Sequence, residues 1–508
     1  MSRQLARKSL LSFSIKISGA VFGFISLYFV KINMGFEAVG MLAFATSIMT
    51  FFTVFGDLGF TTAHLKRRGD NLDVSKCNGT IISIKLLLTL LMGIIVLLWV
   101  ALQKYFFGYE FESRDLEIIV YIVVFQYLIL NIDGGFRTVF MGNIETAKAQ
   151  IPRFFGRFSV MLIKIGVALF GASVIYLALA ELFGALVLLS FSLFFIRDYR
   201  ISKPDRKYLK LYSSFALPLV FVGYVSVLSQ NLDRVMIGYF LSVRDVGIYS
   251  IPLSLTQVLL LVSTTINYIL IVPFSDHYNK KEFTEIQRLT HLAEKHISLI
   301  LLPLVIFIFI FAEFILGFFG DDTTPSVSIL KILVLATYIN ATMRPYDAQF
   351  VSAGKLKLAF SLGLIVLSTN LILNIIFIPK TFLEINLLGL GAEGAALALI
   401  ISFIIQSLLA RYFVYQTTYT RQNMRLLFHF LAALITYFVV LHIYSLVQVT
   451  IVSSVFYILL VPILFYGILF LSADFSSKEI NFFISIVNPR KMKSYIFKEL
   501  QVNSKNDD

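Results

Sequence analysis

The stretch Ser229–Leu255, SQNLDRVMIGYFLSVRDVGIYSIPLSL, places two adjacent charges inside sequence that is otherwise apolar and long enough to cross a membrane. Its upstream flank, Leu211–Leu232, carries no charge, and the downstream segment Val246–Pro273 carries none either. The charged pair Asp233–Arg234 is therefore predicted near the outer end of one long apolar helix. A short polar turn, Ser242–Gly247, is expected to separate that helix from the next.

The composition of the whole chain agrees with a membrane protein. Of its 508 residues, 58% are hydrophobic and only 14% are charged, and the mean hydropathy is +0.84. A helix that crosses a bilayer needs about 20 predominantly apolar residues, and runs of that length recur along the chain. We therefore predict an all-α polytopic membrane protein with about 14 transmembrane helices, which start near Leu10, Val39, Thr80, Leu116, Pro152, Val174, Leu211, Val246, His296, Ser326, Leu358, Leu387, Leu426 and Ile451.

Lysine and arginine are distributed unevenly among the predicted loops, which gives an independent test of the helix count. With the N-terminus inside, 33 of the 43 Lys and Arg residues fall in cytoplasmic segments, which include residues 137–157, 280–295 and 411–425, and six fall in outer segments. Short cytoplasmic loops carry an excess of these residues. We therefore predict that both termini are cytoplasmic and that the protein is a multi-pass protein of the cell (plasma or inner) membrane.

The net charge of +13 is explained by the same asymmetry. Basic cytoplasmic loops face the anionic lipids of the inner leaflet. Membrane lipids are therefore expected partners of the chain, and nucleic acid is not.

Two short sequence matches suggest an internal repeat. Val39-Gly40 resembles Val246-Gly247 at an offset of 207 residues, and MGNIETA from Met141 resembles AGKLKLA from Ala353 at an offset of 212. A six-helix unit used twice would explain both matches, and because six is even, the two copies would be parallel in topology. Such repeats are typical of transporters, with the substrate path at the interface of the repeats.

The repeat and the charge pattern together predict the domain organisation. A basic segment, residues 201–210, links two six-helix lobes. The predicted parts are an N-terminal lobe of residues 1–200, a C-terminal lobe of residues 201–418, helices 13 and 14 in residues 419–472, and a cytoplasmic basic tail of residues 473–508.

Charged residues inside the predicted spans are the candidates for a functional site, because such charges are costly in a bilayer. The basic ones are expected to line a cationic cavity that binds an anionic substrate, since cations in a low-dielectric chamber attract phosphate strongly. These substrate-binding candidates are Lys16, Lys164, Arg234, Lys331 and Arg344. The acidic candidates, for coupling to an ion or for gating, are Asp57, Asp133, Asp233 and Asp347.

Neighbouring residues add detail to this list. Asp233 and Arg234 point about 100° apart on a helix, so at least one must face a partner helix or a cavity. Lys85 lies about one turn inside its span and is expected to snorkel to the surface. Pro345, between Arg344 and Asp347, suggests a broken helix that lines a cavity.

Metal, disulfide and catalytic chemistry have little support in the sequence. Cys77 is the single cysteine, and His291 and His296 are five residues apart, which is the wrong spacing for two ligands on one helical face. No convergent set of catalytic residues is present. We therefore expect neither a metal site nor a cofactor.

The order of features in the central stretch resembles the seventh and eighth helices of the polysaccharide (O-antigen, capsule and exopolysaccharide repeat-unit) flippases. These belong to the multidrug/oligosaccharidyl-lipid/polysaccharide (MOP) exporter superfamily. A second match, MGFEAVGMLAFA at Met34–Ala45 with GDLG at Gly56–Gly59, resembles the first loop and second helix of the same family. The resemblance covers helices one to twelve and carries over GDLG, the Asp-Arg at 233 and 234, and the Gly-Ile-Tyr-Ser at Gly247–Ser250.

The resemblance implies a flippase rather than an enzyme. Such a protein would move polyprenyl-pyrophosphate-linked oligosaccharides from the cytoplasmic to the outer leaflet by alternating access, for cell-surface polysaccharide biosynthesis, in possible contact with polysaccharide assembly proteins. A lipid II flippase and a drug or cation antiporter of the same superfamily are alternatives, although the excess of basic candidates argues against a cation substrate. A membrane-embedded glycan polymerase or transferase is a further alternative, but the longest outer loop, Lys104–Asp115, has only about a dozen residues.

Overall fold

The computed structural model describes residues 2–67, 72–106, 108, 110–446 and 451–471. These residues form an almost entirely helical protein, with one two-residue hairpin in which Thr381 faces Asn386. The hairpin strands are Thr381–Phe382 and Ile385–Asn386. The α-helices are α1 Ser2–Asp57, α2 Phe60–Arg67, α3 Val74–Tyr105, α4 Arg114–Gly142, α5 Thr146–Leu169, α6 Ile175–Ile196, α7 Arg206–Phe240, α8 Val243–Gln257, α9 Leu260–Asn279, α10 Phe283–Ile310, α11 Ala312–Gly317, α12 Pro325–Ser352, α13 Leu356–Phe377, α14 Gly391–Thr418, α15 Arg425–Leu446 and α16 Ile451–Leu471.

The apolar runs of the sequence coincide with these helices. Each predicted span start lies in a helix or within four residues of a helix start, the largest difference being Leu387 against Gly391. Within the described ranges, nine helices are long and apolar enough to cross a membrane, namely α1, α3, α4, α6, α10, α12, α13, α14 and α15. The all-helical membrane fold is therefore confirmed, whereas the number of fourteen spans and the cytoplasmic termini stay predictions.

Helix α1 contains the first two predicted spans. Gly35, with φ +81°, interrupts it between them. Positive φ is accessible to glycine at little steric cost, so the chain changes direction there without a loop.

The chain divides into two compact units. The first unit comprises residues 5–250 and 374–392, and the described part of the second comprises residues 2–4, 251–373, 393–446 and 451–471. The predicted division into lobes of residues 1–200 and 201–418 stays a prediction. The predicted basic tail, residues 473–508, lies outside the described residues.

Two glycines from the predicted repeat meet in the first unit. A Cβ added at Gly40 would lie 1.7 Å from the Val243 carbonyl oxygen, and one added at Gly247 would lie 2.0 Å from the Phe36 carbonyl oxygen. Side chains at these two positions are therefore excluded. The second half of α1 and the first turns of α8 pack backbone against backbone at these two glycines.

The turn between α7 and α8 is shorter than predicted. Helix α7 continues to Phe240 and α8 begins at Val243, so Arg244, Asp245 and Gly247 lie in α8 and not in a turn. The physical reason is an N-cap. The Asp245 backbone N–H donates to Ser242 Oγ at 3.2 Å, and Ser242 Oγ donates to the Asp245 carboxylate at 2.5 Å, which stabilises a helix start at this point.

The second repeat match falls at two helix ends. At the end of α4, the Glu145 N–H donates to the Phe140 carbonyl at 2.9 Å, and at the end of α12 the Lys355 N–H donates to the Phe350 carbonyl, also at 2.9 Å. Both are the six-residue closure of a helix C-terminus. These two bonds are offset by 350 − 140 = 210 residues, against 212 for the sequence match, and the repeat stays a prediction.

In the second unit, α10 packs against α12, α15 and α16. Phe311, Tyr457 and Phe465 are buried in one apolar cluster there. The prediction of a broken helix at Pro345 is wrong, because α12 continues through this residue to Ser352. A proline removes one backbone hydrogen bond, and close packing of the surrounding helices accommodates that loss; Pro345 itself is buried.

Candidate functional site

The polar face of α5 is the first part of the candidate site. Gln150, Arg157 and Lys164 recur every seven residues in this helix, so they lie along one face, two turns apart. The sequence analysis placed Arg157 in a cytoplasmic segment, but it lies eleven residues after Thr146, the first residue of α5. Helix α5 is thus a predicted span with a basic stripe along its length.

This face of α5 packs against the first half of α1. Gln150 Nε2 donates to Ser12 Oγ at 3.5 Å, and the Arg157 guanidinium lies so close over Gly19 that an added Cβ would be 2.0 Å from Nη1. The two contacts are seven residues apart on both helices, which therefore run parallel. A side chain at position 19 would require the Arg157 guanidinium to move.

Lys16 lies one turn before Gly19 on α1, so it is a near neighbour of the place where Arg157 crosses the helix. Lys16 and Arg157 are both exposed. In the described part of the chain, no carboxylate forms an ion pair with either. We refer to these two residues as the α1–α5 basic pair.

Two turns further along α5, Lys164 forms an ion pair with Glu181 of α6. Gln126 of α4 donates its side-chain N–H to the same carboxylate at 3.3 Å. The sequence analysis missed Glu181, although it is the only charged residue of α6 and the cost of a charge inside a span would have identified it.

The central Asp-Arg pair is divided between two sets of partners. Asp233 accepts hydrogen bonds from Tyr249 Oη at 2.7 Å and from Asn374 Nδ2 at 2.8 Å, on α8 and α13. Arg234 Nη2 donates to Asn231 Oδ1 at 2.9 Å, and among described residues it forms no ion pair. The prediction that one member of the pair faces a partner helix is confirmed for Asp233.

Asp57 of the GDLG motif is neutralised within the first unit. Lys85 Nζ lies 2.5 Å from its Oδ1, and the Thr61 hydroxyl also donates to this oxygen. Lys85 is only 4% exposed, so the prediction that it snorkels to the surface is wrong. The Lys85 ammonium pairs with Asp57 inside the protein instead.

Asp133 of α4 is also buried, and its Oδ1 has no hydrogen-bond partner among the described atoms. Arg137 follows one turn later on the same helix. Within the described chain the two side chains approach without forming an ion pair of 4 Å or less.

The remaining candidates lie in the second unit. Arg344 pairs with Asp347 at 3.6 Å, and Lys331 Nζ lies 5.6 Å from the centre of the Phe309 ring. Of the five basic candidates, Lys164 and Arg344 are therefore neutralised by carboxylates. Lys16, Arg234 and Lys331 are not, and the assignment of all five to a substrate site stays a prediction.

A further ion pair in this unit, with a buried carboxylate, was not predicted. Arg411 Nη2 lies 3.0 Å from Glu294 Oε1, and the guanidinium also packs 4.8 Å from the centre of the Tyr346 ring. Glu294 is completely buried. We refer to Glu294, Tyr346 and Arg411 as the α10–α14 cluster. Over the described ranges, no group of three or more His, Cys, Asp or Glu side chains is arranged to hold a metal ion.

Comparison with known proteins connects this geometry with a family. Residues 34–328, more than half of the chain, match the family described as "Polysaccharide biosynthesis protein". The "Probable low-salt glycan biosynthesis flippase Agl15" of Haloferax volcanii is 23% identical over 417 residues, which cover 81% of this chain and 83% of the relative.

Solved structures show the fold. "Lipid II flippase MurJ, inward closed conformation" is 15% identical with a TM-score of 0.70, covering 92% of this chain and 99% of that one. An inward-facing multidrug resistance MATE family transporter of the MOP superfamily is 16% identical with a TM-score of 0.64, covering 81% and 99%. At such identities the likeness establishes a common fold. The chain is a multi-pass membrane protein that belongs to the family described as polysaccharide biosynthesis protein.

Proposed function

We propose that this protein flips polyprenyl-pyrophosphate-linked oligosaccharides from the cytoplasmic to the outer leaflet by alternating access, for cell-surface polysaccharide biosynthesis. The observation that carries the proposal is the α1–α5 basic pair: two exposed cations without a carboxylate partner, in helices of a polysaccharide biosynthesis family member. The flippase name of the archaeal relative supports the same activity.

The chemistry of the basic pair favours a phosphate-bearing substrate. Lys and Arg bind phosphate through charge-assisted hydrogen bonds, which gain strength where water is scarce. An unpaired charge in a span faces the bundle interior or a water-filled cavity, because lipid cannot solvate it. A pyrophosphate on a lipid carrier would supply the missing negative charge while the polyprenyl chain stays in the bilayer.

Two alternatives differ in substrate charge or identity. An antiporter of organic cations would need unneutralised carboxylates that its substrate can reach. Asp57 and Asp347 are paired with bases, and Asp133, which has no ion pair among the described residues, is buried. A lipid II flippase would move the same pyrophosphate group with a different glycan, so the experiment has to distinguish the two glycans. Flipping of a lipid-linked glycan does not require any of the four acidic candidates to couple transport to an ion, since a substrate gradient can drive it.

The test follows lipid-linked glycans in cells that lack the protein. A membrane-impermeant glycosidase or lectin reports which glycans have reached the outer face. We expect repeat units to accumulate as intact lipid-linked intermediates that are inaccessible from outside, while lipid II remains accessible. If lipid II alone becomes inaccessible, the substrate is lipid II. If repeat units reach the outer face but stay unpolymerised, the protein acts after flipping and the proposal is wrong.

A further inference from the structure

The basic stripe of α5 has two parts that differ in their neutralisation. Arg157 and its neighbour Lys16 have no carboxylate partner among the described residues, whereas Lys164 is held by Glu181. Seven residues separate Arg157 from Lys164, which is about 10 Å along the helix. The stripe therefore presents one open cationic position and, two turns further along, one that is occupied by the protein's own carboxylate.

We infer that this face of α5 is a two-step path for a phosphate or pyrophosphate group, which binds first to Lys16 and Arg157 and then displaces Glu181 from Lys164. The inference rests on the proposed function and specifies which residues hold the anionic group. It gives Glu181 the role of a resident anion that occupies the second position while no substrate is present.

The first position is built from both helices. Arg157 reaches across α1 at Gly19, and Lys16 projects from α1 one turn away, where residues three apart are about 5–6 Å from each other at Cβ. Lys16 and Arg157 thus belong to one region of the contact between α1 and α5, where their ammonium and guanidinium would bind different oxygens of one phosphate group. Arg157 lies against Gly19 and forms no ion pair with a carboxylate among the described residues, so binding an anion breaks no existing ion pair.

The second position is an exchange of anions. Lys164 has a side chain that is only 14% exposed, and leaving such a cation without a partner would be costly. A phosphate that replaces Glu181 keeps Lys164 neutralised throughout. The released carboxylate retains the side-chain N–H of Gln126, which donates to its other oxygen. Because one anion replaces another, Lys164 is not left without a negatively charged partner at any point of the step.

Binding to the purified full-length protein tests both steps. The probes are farnesyl diphosphate, which carries the group on a lipid, and inorganic pyrophosphate, which carries it alone. We expect Arg157→Gln to weaken binding of farnesyl diphosphate about tenfold or more, since a charge-assisted hydrogen bond is lost. Glu181→Gln should strengthen binding severalfold, because it removes the competing carboxylate and keeps a hydrogen-bonding side chain.

Arg288→Gln is the matched control. Arg288 lies in the second unit, is exposed and pairs with Glu285 at 2.5 Å, so the same loss of charge should leave binding unchanged. If inorganic pyrophosphate binds as tightly as farnesyl diphosphate and responds to the same variants, the site recognises the free anion, and the lipid contributes nothing to its selection. Tighter binding of farnesyl diphosphate identifies the lipid-linked group.

A labelling experiment on the unmodified protein avoids any folding defect of the variants. A water-soluble amine-reactive ester should modify exposed Lys16, and saturating farnesyl diphosphate should reduce that modification severalfold in quantitative mass spectrometry. Lys280, whose side chain is 56% exposed and bound to Asp276, should be labelled equally in both conditions. Unchanged labelling of Lys16 at saturation would overturn the first step.

The results separate this inference from the proposed function. If the unmodified protein binds farnesyl diphosphate but neither variant changes the affinity, the path along α5 is wrong and the flippase proposal stands. If Glu181→Gln weakens binding, Glu181 is a substrate contact and not a competitor, which overturns the second step. If no diphosphate binds and repeat units reach the outer face without the protein, the proposed function fails and the inference with it.

Discussion

The α1–α5 basic pair and the α10–α14 cluster show two opposite ways in which this protein carries charge inside its helices. Lys16 and Arg157 are exposed and have no carboxylate partner within the described residues. Arg411, by contrast, has Glu294 at 3.0 Å and the Tyr346 ring at 4.8 Å, and Glu294 is completely buried. The cations of the basic pair are therefore exposed and not neutralised, whereas the charges of the cluster neutralise each other and its carboxylate is buried.

Because of this difference, we expect substitutions in the two regions to affect stability and function separately. A buried ion pair is costly to break, because the partner that remains is an uncompensated charge away from water. An exposed cation without a partner contributes little to the folded state, and a charge of this kind in a membrane span is a candidate for substrate binding. Substitutions should therefore affect folding in the cluster and translocation in the basic pair.

The largest effect on stability is expected for Arg411→Ala. It leaves the Glu294 carboxylate buried without a cation, and removal of one partner from a buried pair typically costs about 3–5 kcal/mol. We expect a large loss of monodisperse protein after extraction and a clearly lowered melting temperature in detergent. The double variant Glu294→Gln/Arg411→Gln carries no charge at this site and should melt above the single variant. Wild-type melting of Arg411→Ala would show that the pair is not structural.

The cluster also shows why sequence reasoning missed part of the site. The sequence analysis placed residues 280–295 and 411–425 in cytoplasmic segments because they are polar and basic. In the structure, α10 begins at Phe283, before the apolar run that starts near His296, and α14 continues to Thr418. Helices thus extend beyond their apolar runs, and the polar turns at their ends pair across the fold.

The apolar pattern, in contrast, predicted the helices well. Each helix closes its own backbone hydrogen bonds, so a local run of apolar residues is sufficient to indicate it. Ion pairs such as Lys85–Asp57 and Lys164–Glu181 join different helices. Their partners depend on which helices become neighbours, and that information is spread over the whole chain. The close approach of Gly40 and Gly247 was likewise not predicted, although the sequence match had singled out both glycines.

Lys85→Ala should give a smaller loss of stability than Arg411→Ala. It also breaks a close pair, but the Asp57 side chain is 36% exposed, so water is able to solvate the carboxylate that remains. A cost of about 1–3 kcal/mol is expected, measured as a melting shift in the same detergent. Lys85→Arg, which keeps the charge, is the control. A loss equal to that of Arg411→Ala would mean that exposure of the remaining carboxylate does not matter.

Arg157→Gln should leave stability nearly unchanged, within about 0.5 kcal/mol, while it strongly reduces translocation. The side chain is exposed and has no ion pair to lose within the described residues. Melting temperature and the leaflet assay, measured on the same preparation and strain, give the two readouts. Lys148→Gln is the matched control on α5, because Lys148 is held by Glu145 at 3.1 Å and Asp198 at 3.2 Å near the helix start. If Arg157→Gln unfolds, Arg157 stabilises the fold as Arg411 does, and the prediction is wrong.

The smallest effect is expected for a carboxylate that stays in water. Asp73 caps α3: the Ser75 hydroxyl donates to it at 2.7 Å and the Lys76 backbone N–H at 3.4 Å, and these bonds lower the pKa of Asp73 below its ordinary value. A lowered folded-state pKa means that the stabilisation is present above the unfolded value of about 3.9. It is lost as the pH falls through the lower, folded-state pKa.

Asp73→Ala should therefore lower the melting temperature slightly at pH 7, and the difference from wild type should shrink on acidification below pH 4. Asp73→Asn, which keeps an acceptor for the cap but does not titrate in this range, should give a shift at pH 7 that is smaller than that of Asp73→Ala. If the difference in melting temperature between wild type and Asp73→Ala grows on acidification, folding does not lower the pKa of Asp73 and the prediction is wrong. Because Asp73 is solvated and its partners are neutral, its removal strands no buried charge, which is what distinguishes it from Arg411.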